Sequence, residues 1–144
     1  MTSARTLLRR CALPLLLVGL AGCGSKGPRV VEVTGTLTHQ GKPVPNTLMH
    51  FLPENGRQSW AQTDAEGRFK INYDRHQDGA IEGKHKVWLE YRGGSQAEQE
   101  AAMLGKAMPI PKDFQALLQR YNYNNSRLVV EISRDRKDIT IELE

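Results

Sequence analysis

From residue 29 onward, β-branched and apolar residues come in short alternating runs, each closed by turn chemistry before a helix can form. This pattern limits the chain to short strands, each burying one face. The runs fall at 31–38, 47–52, 59–63, 68–73, 84–91, 128–132 and 139–143. Gly41, Pro43 and Pro45 fix a tight non-helical connection after the first, and Pro53 stops the second. Asp64-Ala65-Glu66-Gly67 reads as the clearest hairpin turn. Asp64 can start it through its side chain, and Gly67 can take a positive φ. Phe69, Ile71 and Tyr73 then share one face, residues 74–83 read as a polar loop, and the acidic and basic residues 134–138 read as a turn.

Residues 95–107 break this alternation. Ala97, Ala101, Ala102, Met103 and Leu104 among Gln and Glu suggest a short helix or a mobile insert. Asp113 is placed to cap a turn of helix running through Arg120. Seven strands without alternating helices point to an all-β, two-sheet antiparallel sandwich with a short helical insert before the last two strands. The chain of 144 residues supports one such domain.

The cysteines sharpen the picture. Both, Cys11 and Cys23, precede the strand region, so that region carries no thiol for a disulfide or a thiolate metal cluster. Its fold rests on packing and hydrogen bonds. The net charge of +4 is also a property of the N-terminus, which holds Arg5, Arg9 and Arg10. Without them, 17 basic residues face 16 acidic ones. A nearly neutral domain has no electrostatic footprint for nucleic acid.

The N-terminus reads as an address and an anchor. A basic stretch without acids precedes the apolar residues 11–20, the layout of a secretory signal peptide. As a helix those ten residues would span about 15 Å, half of a roughly 30 Å hydrocarbon core. Leu20-Ala21-Gly22-Cys23 follows and resembles the lipobox of bacterial lipoproteins. The resemblance implies cleavage before Cys23, diacylation of its thiol (the palmitate-type modification) and membrane attachment. Two or three acyl chains, at about 0.8 kcal/mol per buried methylene, would make that attachment nearly permanent. Gly24 stands where that family carries Asp for inner-membrane retention, which favours the outer membrane if the cell has one. The expected organisation is a signal peptide at 1–22, a lipidated cysteine and tether at 23–28, and one domain at 29–144 in the cell envelope.

The domain carries a second resemblance. Residues 33–37 and 41–46, then Phe51 and Pro53, residues 63–69, 78–80 and 82–87, and the closing 139–143 resemble the carboxypeptidase regulatory-like, or transthyretin-like (prealbumin-like), β-sandwich family. The resemblance implies a seven-stranded Greek-key sandwich. Its motifs are turn and core motifs, which speak for fold more than for function.

Reactive constellations are sparse in the sequence. His39, His50, His76 and His85 have no partner at i+3 or i+4, so no local metal-ligand spacing exists. Asp64, Asp74, Asp78 and Glu82 lack the spacing of a calcium loop. There is no Gly-x-Ser-x-Gly and no Gly-rich phosphate loop. Some transthyretin-like domains hydrolyse 5-hydroxyisourate with a C-terminal Tyr-Arg-Gly-Ser. Here Tyr91-Arg92-Gly93-Gly94-Ser95 lies mid-chain with an added glycine, and the histidine motifs do not align. Trp60, Trp88, Phe51, Phe69, Phe114, Tyr73 and Tyr91 are expected in the core. Residues 121–125, with Tyr121 and Tyr123, read as an exposed polar loop, the alternative being a surface that stacks on a sugar or a peptide. The expected function is a non-catalytic binding or structural module, without cofactor or metal, meeting a protein or carbohydrate partner in the envelope. The competing expectation is an envelope enzyme or accessory domain for carbohydrate or peptide processing, with a site assembled only in three dimensions.

Overall fold

Seven strands form where alternation and turn residues place them. The computed structural model describes residues 27–94, 96–106 and 110–144. The expectations for residues 1–22 and for Leu20, Ala21, Gly22 and Cys23 lie outside that range. The elements are β1 (Val30–Val31), β2 (Thr34–His39), β3 (Lys42–Pro43), β4 (Thr47–Pro53), β5 (Ser59–Gln62), β6 (Arg68–Asn72), β7 (Ala80–Ile81) and β8 (Gly83–Tyr91). The helices α1 (Gln96–Met103) and α2 (Lys112–Tyr121) follow, then β9 (Leu128–Ile132) and β10 (Asp138–Leu143).

The main strands form one mostly antiparallel, curled sheet in the order β10-β2-β6-β5-β4-β8-β9. β6 turns the corner of the curl. Its first half, Arg68 to Lys70, pairs with β2, and Ile71 and Asn72 pair with β5. The period of two explains what lies inside. Leu37 of β2, Met49 and Phe51 of β4, Ile71 of β6, Val87 and Leu89 of β8 and Leu143 of β10 are all buried in one core. Each such side chain contributes about 1.5–3 kcal/mol on burial.

α2 covers the open side of the curl with Phe114, Leu117 and Tyr121. The Phe114 ring meets Tyr91 at 5.3 Å, and the Tyr121 hydroxyl bonds the backbone of Glu144 at the end of β10. The helix thus spans from β8 to β10. Tyr121 is therefore buried, contrary to the exposed character read for residues 121–125, while Tyr123 is exposed.

Three further expectations are corrected. The sheet is not wholly antiparallel, because β10 lies parallel to β2, with Ile139 opposite Gly35 and Ile141 opposite Leu37. β9 and β10 are joined by a tight turn, yet they stand at opposite ends of the strand order and do not pair. The curl brings the two ends close enough for five residues to cross. The loop at 74–83 contains β7, which pairs with β1, and two apolar residues between Gly79 and Glu82 are too short a signal to read as a strand. Asp113 is not the helix cap. Pro111 holds that position without a side-chain bond, and its carbonyl accepts from the amides of Phe114 and Gln115. Asp113 sits in the first turn, where the helix dipole favours it. The segment at 95–107 contributes α1, and the helical turn read through Arg120 is α2.

Candidate functional site

The outer face of the sheet carries the most distinctive side chains. Because Val87 and Leu89 point inward, Trp88 and Glu90 point outward. Because Ser59 and Ala61 are buried, Trp60 and Gln62 face solvent. Cross-strand register then lines up Asn72, Trp60, His50 and Trp88 in one row over β6, β5, β4 and β8. Directly opposed residues on one face lie about 4.5–5.5 Å apart at Cβ, so neighbours in the row are within reach of one another.

The row divides into a ridge and a slot. On the ridge, the His50 ring lies parallel to the Trp88 indole, with centroids 4.8 Å apart and planes within 10°. Tyr123 meets the other side of Trp88 edge-on at 5.1 Å. Lys86 holds Tyr123 in place, donating to its carbonyl at 2.9 Å with the ammonium 5.1 Å from the ring centroid. Trp88 is left only 6% exposed by these neighbours.

The slot lies on the opposite side of His50. It measures about 350 Å³ and is lined by Leu48, His50, Gln58, Trp60, Gln62 and Arg92. Trp60 is 39% exposed there, against the expectation that it belongs to the core. Gln58 Nε2 approaches His50 Nδ1 at 2.8 Å. With the Gln58 amide as donor, the neutral imidazole carries its proton on Nε2. That nitrogen is cut off from solvent, and Glu90 Oε2 stands 3.4 Å away, a long electrostatic contact rather than a well-formed hydrogen bond. The His50 wall is thus fixed in position by Gln58 and Trp88. Gln62 and Arg92 make no side-chain hydrogen bond or ion pair among the described residues.

The other residues weighed in the sequence are dispersed. His39 Nδ1 contacts the Leu143 carbonyl at 2.9 Å, His85 is fully buried with Nε2 on the Ile81 carbonyl at 2.6 Å, and His76 lies exposed in a turn. The four acidic residues each have their own partners. Asp64 pairs with Arg68 at 2.9 Å, Asp78 with Lys70 at 2.5 Å, and Glu82 with Arg134 at 3.5 Å. Asp74 accepts the amides of His76 and Gln77. Among the described residues, no three His, Cys, Asp or Glu side chains converge as metal ligands. Tyr91 closes β8, and the Arg92 amide donates to Asn46 as the loop begins, so this segment is a strand end.

Shifted titrations are found at turns. At Asp64 desolvation works upward, but hydrogen bonds from the Arg68 amide and guanidinium and from the Glu66 amide outweigh it, and the pKa falls below the ordinary value. Bonds from the His76 and Gln77 amides lower Asp74. The Thr38 hydroxyl and the Gly41 amide lower Glu142. These carboxylates hold turns and neighbouring strands together.

Two further grooves border α2. One, of about 480 Å³, runs between its start and the Val44–Asn46 connection, and the other, of about 730 Å³, lies between β9 and Glu142 of β10 with the following Glu144. No described helix is long and apolar enough to cross a membrane. Comparison with known proteins finds no matching family model, no matching curated protein and no matching solved structure.

The slot was not singled out in the sequence, although its signal was there. Once Val87 and Leu89 take the core, strand parity forces Trp88 outward. The small inward residues Ser59 and Ala61 do the same for Trp60.

Proposed function

We propose that this chain is a lipid-anchored extracytoplasmic protein whose domain is a non-catalytic binding module of the carboxypeptidase regulatory-like, transthyretin-like type. The observation that carries the proposal is Leu20-Ala21-Gly22-Cys23 standing directly after a basic head and ten apolar residues. The anchor is the acylated Cys23, and residues 24–28 are the tether. In support of the family, β2, β4, β5, β6, β8, β9 and β10 match the seven strands its sandwich requires. The non-sequential neighbours β2-β6 and β4-β8 are compatible with a Greek key.

The domain has a direction relative to such an anchor. The chain enters through β1, which pairs with β7 immediately before β8 begins. Trp88 lies five residues further along β8, about 17 Å from that pole. The slot and ridge therefore stand away from the pole where β1 enters, on a sheet face that an envelope partner can reach.

Metabolic labelling with palmitate tests the anchor. The wild-type chain is expected to be labelled and to sediment with membranes, and Cys23→Ala is expected to lose both properties. Continued labelling of the variant refutes the proposal.

A further inference from the structure

Resting on the binding-module reading, we infer that the slot beside Trp60 is a saccharide site, taking a pyranose ring of a β-linked, gluco-configured glycan chain. The argument begins with the shape of the chemistry. One exposed indole stands in the middle of a sheet, walled by a fixed imidazole and floored by Leu48. A pyranose with equatorial hydroxyls has one property this suits: its axial C–H bonds form a flat apolar face that lies on an aromatic ring, while its hydroxyls project around the edge.

The rim meets those hydroxyls. Gln62 offers a primary amide, and Gln58 keeps its amide oxygen after donating to His50. A primary amide both donates and accepts, as does a hydroxyl, so neither partner leaves a polar atom unmatched. Arg92 adds a planar fork of donors that two vicinal oxygens can accept. A protein partner would instead favour a contiguous apolar patch of several hundred Å². Here a single indole is surrounded by two amides, a guanidinium and an imidazole. The slot is also preorganised, because its walls stand on β4 and β5 with His50 stacked on Trp88, so little order has to be acquired on binding.

The test uses the chain's only two tryptophans. The full chain, purified from membranes in detergent, is titrated with cellohexaose and separately with hexa-N-acetylchitohexaose while tryptophan emission is followed. Binding of either probe is expected to shift and quench the emission. By isothermal titration calorimetry, which does not depend on the replaced indole, Trp60→Ala is expected to weaken binding at least tenfold, Gln62→Ala several-fold, and Trp60→Phe to retain most of it. Trp60 is exposed, so its variants are expected to keep the parent circular dichroism. A preference for one probe tells a neutral glucan from an acetamido glycan. No response to either probe up to about 5 mM, weaker than specific recognition usually runs, overturns the proposal. Binding that survives Trp60→Ala unchanged also overturns it. Palmitate labelling on the same preparation separates the two claims. An intact anchor without saccharide binding refutes only the ligand, and saccharide binding by an unlabelled soluble chain refutes only the anchor.

Discussion

Replacing Gly35 with alanine should unfasten β10 from the sheet. Gly35 lies in β2 between Phe69 of β6 and Ile139 of β10. A Cβ there would sit 2.1 Å from the Ile139 carbonyl oxygen and 2.7 Å from Cζ of Phe69. The Phe69 ring can swing aside, but the carbonyl is backbone within the parallel ladder. To restore even a tight contact, β10 must withdraw by about 1 Å, which stretches ladder hydrogen bonds beyond about 3.2 Å. Overpacking of this kind costs about 1–3 kcal/mol. Loosening two ladder bonds adds about 1 kcal/mol each. The expected loss is about 3–5 kcal/mol, a large share of the roughly 5–15 kcal/mol that holds a domain folded. At about 4 °C per kcal/mol for this size, the midpoint falls by more than about 10 °C. Thermal unfolding by near-ultraviolet circular dichroism measures it, with Gly27→Ala as the control because nothing lies within 4 Å of that position. Amide exchange should show residues 139–143 losing protection before β4 and β8. A midpoint within about 3 °C of the parent would refute the steric argument.

Two further outcomes follow from the hydrogen bonds. Thr63→Val keeps the shape but removes the hydroxyl that accepts the buried Thr47 amide at 2.9 Å, so stability should fall by about 1–3 kcal/mol in urea unfolding. Asp64 has a folded pKa below its unfolded value, so its contribution is complete above the ordinary carboxylate range and is lost as pH falls through the folded pKa. Asp64→Asn should therefore flatten the acid limb of the stability–pH curve, and an unchanged limb in acid titration would contradict this.

The strands were legible because two independent signals agreed at each. Asp64 and Gly67 mark a turn that β5 and β6 then flank, and Val31 to Leu37 alternates as the core requires. What stayed hidden depends on long-range pairing. Nothing in residues 139–143 announces a parallel partner a hundred positions away, and Ala80-Ile81 is too brief to carry a period. The two misplaced aromatics have the same origin. Residue type points Trp60 to the core and the Asn-rich surroundings point Tyr121 outward, whereas strand parity turns the first outward and the end of α2 turns the second inward. The slot needs three strands in register, with Trp60, His50 and Trp88 each unremarkable alone.

The parallel ladder also sets a clock for synthesis. Thr34 meets Asp138 across 104 residues, so β2 waits for about that much further chain before its parallel neighbour exists. At roughly 5–20 residues per second, that interval lasts about 5–20 seconds. Closing so long a loop is slow in itself. Until β10 emerges, β2 has only β3 and β6 to pair with, and the core residues Ile139, Ile141 and Leu143 are absent from one half of the sheet.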